Sequence, residues 1–335
     1  YWIMNMKASS LYNIYLNNKS KLKYIYKHDT KYDKYLHKYL SMHTLVRFIV
    51  RICFYLLLFG LSFIFIYPFL DMIVTSLKST SDLMNITVKW IPNSLMFSNY
   101  VVAIEQLQYL KYFKNSVFVT TVCIIGHVLS CSFVAYGFSR YKFPFRDSLF
   151  SFVIFTLIVP VQVIIFPLYI FYSKLGWVNS YLPIIVPTFF GYGLKGGLFI
   201  FLFRQFFAGL PYELEEAARV DGCRPLRTFF TIILPVSKSA ILVSIVLSMV
   251  WHWNDYFEPN IYIAEKNMHL LPSRLPALYN MLNTDDILNP EMDLIINEAI
   301  VLAATFLVVL PILIVYSLVQ NKFMEGIERS GLTGQ

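Results

Sequence analysis

The sequence predicts an all-α polytopic membrane protein with six transmembrane helices and one long polar loop, and three observations predict it. Hydrophobic residues make up 57% of the 335 residues and charged residues only 14%, against about 45–50% and about 25% in soluble domains. Several apolar segments reach the roughly 20 residues that a bilayer-spanning helix needs. Lysine and arginine are concentrated between alternate segments, as they are in cytoplasmic loops.

The apolar segments give the order of the spans. They occupy residues 47–70, 116–138, 148–172, 181–203, 237–257 and 299–320. Most of the 28 Lys and Arg residues lie in residues 1–51, 139–147, 204–238 and 321–335. The positive-inside rule therefore predicts that these segments, and so both termini, are cytoplasmic. The first span is far from the N-terminus and lacks a small-residue cleavage site, so we expect it to be retained.

The spans divide the chain into four regions. Residues 1–45 are rich in Tyr, Lys and Asn, and we expect a disordered basic extension near anionic lipid or a misassigned start. Residues 46–110 hold the first span and an outer loop, 111–321 the core with the loop at 204–238, and 322–335 a cytoplasmic tail. The net charge of +8 lies mostly beside apolar runs, so nucleic-acid binding is not predicted. The four cysteines show no C-x-x-C spacing, which argues against metal, redox or disulfide roles.

The loop at 204–238 begins with a predicted short helix of about three turns. Pro211 suits a first turn, Glu213 and the following acids favour the positive end of the helix dipole, and Gly222 suits its end. Glu215 and Arg219 have the i, i+4 spacing of an ion pair. The helical period predicts an apolar side and a charged side. The apolar side holds Leu214, Ala217 and Ala218. The charged side holds Glu213, Glu215, Glu216 and Arg219.

A second helix is predicted from Pro225 to Pro235, lying along the membrane interface. Its apolar side holds Leu226, Phe229, Phe230, Ile233 and Leu234. The two helices around Gly222 form a helix–glycine–helix unit that would suit docking of a cytoplasmic partner. An ordinary amphipathic connector between spans is the alternative.

The spacing of this loop resembles a known motif. Glu216-Ala217-Ala218, three residues, Gly222, nine residues, then Ile232-Ile233-Leu234-Pro235 is similar to the EAA-x3-G-x9-I-x-L-P loop. That loop marks the permease subunits of binding-protein-dependent ABC importers. The stretches "YPFLDMIVTSLKSTSDL" (67–83), "WIPNSLMFSNY" (90–100), "YFKNSVFVTT" (112–121) and "WHWNDYF" (251–257) resemble the carbohydrate group of these permeases. The ending Ser330–Gly334 departs from that group's pattern.

The resemblance implies a maltose-type, six-span permease with the transmembrane domain of a type I ABC importer. Its partners would be a second, non-identical permease, an ATPase dimer and an extracellular solute-binding lipoprotein at a bacterial plasma membrane. The chain would then be no enzyme, with no catalytic residue, bound cofactor or metal, and ATP and Mg²⁺ would be used by the ATPase. The sequence has no G-x-x-x-x-G-K-[ST] phosphate loop, which agrees with the use of ATP by a separate subunit. The coupling residues would be Glu213, Glu216, Ala217, Ala218, Asp221, Gly222, Leu234 and Pro235.

Candidate residues for a solute path lie in two spans. Lys195 is a costly charge within the fourth span, which usually faces protein or water, although a structural pairing is the alternative. Trp253, Asn254 and Asp255 could stack on and hydrogen-bond to a sugar, or could form an interfacial belt. His127 is expected to be a packed helix contact. Pro160, Pro167, Pro183 and Pro187 interrupt spans three and four and could kink them around a cavity.

Other functions remain open at this stage. The same machinery could carry an amino acid, a polyamine or a phosphonate. A secondary transporter would need paired intramembrane acids, and the span interiors offer almost none. An intramembrane enzyme would need a motif such as H-E-x-x-H or G-x-S-x-G, neither of which occurs.

Overall fold

A computed structural model describes residues 30–193, 195–283 and 297–332, with side chains described for 46–193, 195–281 and 297–324. Within these ranges the chain is helical and contains no strand, as the composition predicts. The predicted extension lies outside the described residues up to residue 29, as do the last three residues of the tail. Residues 30–45 form the beginning of the helix that continues into the first predicted span.

The described residues form fifteen α-helices. In chain order they are α1 Thr30–Ser76, α2 Thr80–Met84, α3 Ser98–Leu107, α4 Tyr109–Arg140, α5 Arg146–Ile158, α6 Val161–Lys174, α7 Leu182–Ile185, α8 Gly196–Ala208, α9 Glu213–Val220, α10 Pro225–Thr228, α11 Leu234–Val236, α12 Lys238–Asn254, α13 Phe257–Tyr262, α14 Leu275–Asn283 and α15 Glu298–Leu332. Val186–Phe190, Lys266–Met268 and Pro272–Arg274 are 3₁₀ turns, and Phe229–Ile233 is a π-helical turn.

Three of the predicted spans are continuous helices long and apolar enough to cross a membrane. These are Val46–Ser76 within α1, the whole of α4, and Glu298–Met324 within α15. The third predicted span is a pair, α5 and α6, bent by 102°. The fifth is α12, which meets the preceding helical segment Pro225–Val236 at 79°. Among the described residues there are thus three such helices, or up to five if each bent pair is one span.

The fourth predicted span is interrupted, as its prolines led us to expect. It consists of the one-turn α7, a 3₁₀ turn and the 13-residue α8, so the six predicted spans do not appear as six continuous helices. Proline supplies no backbone N–H and fixes φ, and Pro183 and Pro187 lie in the first part. Gly191 and Gly193 then adopt φ of +70° and +104°, which a continuing right-handed helix does not allow.

Residue contacts divide the chain into two units, residues 1–69 and 70–335. The second unit holds three large apolar clusters and a smaller one around Val246 and Phe323. One joins α3, α4, α12 and α15 around Leu107, Trp253 and Ala304. A second joins α4, α8 and α12 to the π-helical turn, around Phe203 and Phe229. The third lies against α6, α7 and α13 and includes Tyr172 and Tyr262.

Small residues allow α4 to lie against the broken fourth span. A side chain at Gly126 would place its Cβ 2.2 Å from the Thr188 hydroxyl oxygen, which is too close for any residue but glycine. Thr188 is fully buried, and its hydroxyl donates to the Ile185 carbonyl at 2.7 Å. In a membrane, association of helices depends on such close packing, because lipid tails are as apolar as the helix surface.

Candidate functional site

The helical loop (residues 209–237) begins with α9, the predicted short helix. It has eight residues, about two turns rather than three. Its end is a Schellman motif: the Cys223 N–H donates to the Ala218 carbonyl at 2.9 Å and the Gly222 N–H donates to the Arg219 carbonyl at 3.0 Å. Gly222 has a φ of +77°, as its predicted role at the helix end requires.

The exposed face of α9 differs from the predicted one. Glu213, Glu216, Ala217 and Val220 are exposed, with Val220 at 87%, whereas Ala218 is buried at 2%. The sequence predicts both alanines on one side of the helix, but in the structure Ala217 is exposed and Ala218 is buried. The exposed face thus combines the acidic side chains of Glu213 and Glu216 with the small Ala217 and the apolar Val220, a mixture suited to contact with another protein.

Glu215 also lies on the buried side of α9, contrary to the prediction. Its Oε1 is 3.1 Å from Arg140 Nε, at the end of α4, and the Arg140 side chain is fully buried. Burial raises the pKa of Glu215, and the positive charges of Arg140 and Arg219 oppose this shift. The sequence offered Arg219 as partner, because it is the basic residue one turn away. Arg140 is distant in sequence and gave no local signal.

The second arm of the helical loop runs from Pro225, at a first helical turn as predicted, to Val236. Phe229 and Ile233 are fully buried against the bundle, while Leu226 and Phe230 are more than half exposed. Pro235 has no N–H to donate to the carbonyl four residues earlier, and the helix widens just before it: the Leu234 N–H donates to the Phe229 carbonyl. The exposed apolar residues suit the membrane interface.

The remaining predicted coupling residues fall on both surfaces of the helical loop. Asp221 and Gly222 are exposed beside the end of α9. Leu234 is partly buried against the second apolar cluster, and Pro235 is exposed. The set therefore contains an exposed group around α9 and a group that fixes the second arm to the bundle.

A cavity of about 730 Å³ lies between the two broken spans and α13. Its wall includes Pro160, at the bend between α5 and α6, and the segment Phe190–Gly193, where the fourth span is interrupted. Pro183 and Pro187 also line it, whereas Pro167 does not. Non-helical backbone is tolerated at membrane depth where it lines a cavity, and the breaks lie at this cavity.

The polar side chains of the cavity come from distant parts of the sequence. They are Thr156, Gln162, Tyr172, Tyr192, Lys195, Glu258 and Tyr262. Burial raises the pKa of the Glu258 carboxyl to about 8, and the nearby Asp255 carboxylate adds to the shift. Glu258 is therefore mostly protonated at neutral pH and can both donate and accept hydrogen bonds. Three tyrosines, an amide and a neutral acid form a wall suited to hydroxyl groups.

Only one of the four residues predicted for the solute path lines the cavity. Lys195 does so, with φ of +64° just before α8. Trp253 is buried in the first apolar cluster, where its Nε1 donates to the Val308 carbonyl at 3.0 Å. Asn254 donates to the Val250 carbonyl at 2.9 Å. Asp255 Oδ1 accepts the backbone N–H groups of Phe257 and Glu258, at 3.0 and 3.3 Å.

Sequence reasoning missed Glu258 and the three tyrosines. Glu258 follows Asp255 by one helical turn, and its presence in "WNDYFE" was the available signal. Tyr172, Tyr192 and Tyr262 gave none, because tyrosine is frequent throughout this chain. His127, expected to be a packed helix contact, is fully buried: its Nδ1 lies 3.2 Å from the Ser248 hydroxyl and 3.4 Å from Nε2 of His252.

A bundle with broken spans around a cavity, and an exposed short helix on one loop, is the architecture of a transport protein. Residues 128–321 match the family described as "Binding-protein-dependent transport system inner membrane component". The chain belongs to this family and is a multi-pass membrane permease subunit. The family implies an ATPase and a solute-binding protein as partners, with ATP hydrolysis in the separate ATPase, so this chain is not an enzyme.

Individual relatives are similar over most of the chain. The arabinooligosaccharides transport system permease protein AraQ of Halalkalibacterium halodurans is 30% identical over 277 residues, which cover 82% of this chain and 93% of the relative. The sn-glycerol-3-phosphate transport system permease protein UgpE of Pectobacterium atrosepticum is 32% identical over 213 residues, 64% of this chain and 70% of the relative.

A solved structure shows the same fold. It is the crystal structure of a bacterial ABC transporter involved in the import of the acidic polysaccharide alginate. The TM-score is 0.69 at 22% identity, and the match covers 82% of this chain and 96% of the other. Among the described residues of the present chain, no group of three or more His, Cys, Asp or Glu could hold a metal ion.

Proposed function

We propose that this chain is the translocating subunit of an ATP-driven importer for a sugar or oligosaccharide. It pairs with a second, non-identical permease in a bacterial plasma membrane, with both termini in the cytoplasm. Two copies of an ATPase, which use ATP and Mg²⁺, dock from the cytoplasm. A solute-binding lipoprotein delivers the solute from outside.

The exposed face of α9 is the observation that carries this proposal. Glu213, Glu216 and Ala217 face outward while Glu215 and Ala218 fix the helix to the bundle. The Schellman motif at Gly222 fixes the end of the helix, and Asp221 lies next to it. We propose that this face binds a cleft of the ATPase, and that Leu234, next to Pro235, holds the second arm against the bundle. A rigid docking element between α8, which belongs to the broken fourth span, and α12 can transmit a two-state change of the ATPase.

The cavity supports a polyhydroxylated solute. The exposed ring of Tyr192 can stack on the apolar face of a sugar, while phenol, amide and protonated carboxyl groups exchange hydrogen bonds with its hydroxyls. The names of the two relatives specify arabino-oligosaccharides and sn-glycerol-3-phosphate, and both of these solutes carry more than one hydroxyl. We place Lys195 at the solute path for the same reason, since its side chain lines the cavity. Asp255 acts there by capping the helix that carries Glu258.

A phosphorylated polyol is the second candidate solute. The relative named for sn-glycerol-3-phosphate and the positive charge of Lys195 favour it. A phosphate would pair with the Lys195 ammonium, whereas a neutral sugar would use it as a hydrogen-bond donor only. The Lys195→Gln variant separates the two, because it removes the charge and keeps hydrogen-bonding groups.

The test is ATPase stimulation in the complete complex. The chain is purified with its partner permease, ATPase and solute-binding protein and reconstituted in nanodiscs. Arabino-oligosaccharides, sn-glycerol-3-phosphate, an amino acid and a polyamine are then added one at a time. We expect stimulation by an oligosaccharide that requires the binding protein. Stimulation only by a solute without sugar or polyol groups would overturn the assignment of the solute, and failure of the chain to bind any ATPase would overturn the whole proposal.

A matched pair of variants tests the cavity. Glu258→Ala and Glu265→Ala remove one carboxyl side chain each, the first at the cavity and the second at an exposed position near α13. We expect the solute concentration for half-maximal transport to rise about tenfold in Glu258→Ala, as loss of one hydrogen-bonding group at the cavity implies. It should stay unchanged in Glu265→Ala. Equal values for both variants would place the solute elsewhere.

A further inference from the structure

Arg140, the last residue of α4, contacts the first arm of the helical loop, residues 209–222, at three points. Its Nε lies 3.1 Å from Glu215 Oε1, its Nη2 donates to the Leu210 carbonyl at 2.8 Å, and its guanidinium carbon lies 4.4 Å from the centre of the Tyr212 ring. The Arg140 side chain has no solvent exposure and that of Glu215 is 12% exposed. One side chain therefore contacts Leu210 and Tyr212, which precede α9, and Glu215 within the helix.

The chemistry of these three contacts requires arginine. A planar guanidinium can stack on an aromatic ring, donate in its plane to a carbonyl, and pair with a carboxylate at the same time. A lysine ammonium carries the same charge but lacks the planar fork. Removing one partner of a buried ion pair is strongly unfavourable, because the other charge remains buried and unpaired. Arg140 and Glu215 therefore hold α9 in one orientation relative to α4.

The same end of α4 also contacts the second arm. The rings of Tyr136 and Phe133 lie 5.2 and 5.5 Å, centre to centre, from the ring of Phe229 in the π-helical turn. Both arms of the helical loop are thus attached to the last two turns of one helix. A displacement of the helical loop reaches α4 through polar contacts at the first arm and through aromatic packing at the second.

Further along, α4 contacts the wall of the cavity. The Ser130 hydroxyl donates to the Thr188 carbonyl at 2.6 Å and accepts the Gly191 N–H at 3.1 Å. Gly191 lines the cavity where the fourth span is interrupted. Ser130 and Arg140 belong to one continuous α-helix, which is stiff enough to carry a displacement along its axis. One rigid element thus links the first arm to the cavity wall.

We infer that Arg140 is a positioning residue that joins the ATPase-facing helix α9 to α4 and, through Ser130, to the cavity. The inference rests on the proposed function, since it assumes that α9 docks on an ATPase. It assigns to Glu215 a role inside this chain that differs from the docking role of its neighbour Glu216. Solute transport and ATP hydrolysis are coupled through this joint, while binding of the ATPase depends on the exposed face.

The experiment uses the reconstituted complex with three variants of this chain. Arg140→Gln removes the charge, Arg140→Lys keeps the charge without the planar fork, and Lys142→Gln removes an exposed charge two residues further on as a control. For each, ATPase binding, ATP hydrolysis and solute uptake are measured in the same preparation. The ratio of solute transported to ATP hydrolysed is the decisive readout, because a general loss of folded complex lowers both quantities equally and leaves the ratio unchanged.

We expect Arg140→Gln to bind the ATPase, to hydrolyse ATP, and to lower the transport ratio about tenfold, within the 5- to 150-fold range of typical allosteric couplings. Arg140→Lys should have a ratio between those of Arg140→Gln and the wild type, and Lys142→Gln should have the wild-type ratio. A wild-type ratio in Arg140→Gln would overturn the inference and leave the proposed function intact. If Arg140→Gln does not assemble, Glu215→Gln supplies the test, and a wild-type ratio there overturns the inference. A wild-type chain that binds no ATPase would instead overturn the proposed function.

Discussion

The helical loop and the cavity are built in different ways, although the proposed function needs both. The helical loop consists of consecutive residues, and its shape comes from local features such as the positive φ of Gly222 and the first-turn position of Pro225. The cavity consists of residues from distant segments, such as Pro160, Tyr192 and Glu258, which the two broken spans bring together. Spacing in a sequence therefore reports the first kind of site much better than the second.

The largest effect is expected at the contact that holds the broken fourth span against α4. Gly126→Val would place side-chain atoms against the buried Thr188, and overpacking of this kind costs about 3 kcal/mol. The matched control is Gly137→Val in the same helix, where a Cβ would meet no atom within 4 Å. Thermal unfolding in detergent should show a large loss of stability for the first variant and, given helix propensities, less than about 1 kcal/mol for the second. Equal losses would contradict the close packing.

The next effect concerns the helical loop, where Gly222→Val should separate ATP hydrolysis from uptake. A β-branched residue at positive φ costs about 1–2 kcal/mol, enough to disturb the Schellman motif while the spans remain inserted. Gly222→Asn is the control, because asparagine tolerates this conformation. Uptake and ATP hydrolysis are measured in proteoliposomes that contain equal amounts of assembled complex. Full transport by the valine variant would refute the role of this helix end in coupling.

A smaller effect is predicted for the pH dependence of stability. The folded-state pKa of Glu258 is raised from 4.5 to about 8, so the native state binds the proton more tightly than the unfolded state does. The stability from this group is fully present below pH 4.5 and is lost as the pH rises towards 8. Because the side chain is partly exposed, we expect a slope well below the ~1.4 kcal/mol per pH unit of one full proton.

The comparison of two variants isolates that slope. Glu258→Gln should flatten the change in the free energy of unfolding between pH 4.5 and 8, whereas Glu265→Gln should leave it as in the wild type. Unfolding is followed by tryptophan fluorescence across this range. An unchanged slope in Glu258→Gln would mean that its carboxyl is solvated rather than buried at the cavity.

The smallest effect distinguishes packing from solute contact at Trp253. Trp253→Phe removes the hydrogen bond to the Val308 carbonyl, which is worth about 1 kcal/mol, and keeps most of the apolar contact. We expect a small fall in the midpoint of thermal unfolding and an unchanged dependence of transport on solute concentration. A large rise in the half-maximal concentration would return Trp253 to the solute path that its sequence context suggested.

Much of the helical loop was predictable, because proline and glycine mark its two helices and acids mark the start of the first. The orientation of Glu215 was not, since it depends on Arg140, far away in the sequence. In the membrane the prolines indicated interruptions of spans three and four, but not the angle of the bend or the left-handed residues after Phe190. Aromatic residues drew attention to Trp253, and the buried acid nearby, Glu258, could be placed only with the fold.

The central claim, that the exposed face of α9 docks on a separate ATPase, can be tested with two neighbouring residues. Cys53, Cys123, Cys131 and Cys223 are first replaced by serine or alanine. Ala217→Cys and Ala218→Cys then place a thiol on the exposed face and on the buried side of the same helix. Cross-linking to the ATPase is measured in the complete complex with and without ATP. We expect an efficient, nucleotide-dependent cross-link from position 217 and little from 218; no cross-link from 217, or equal cross-links from both, would contradict the claim.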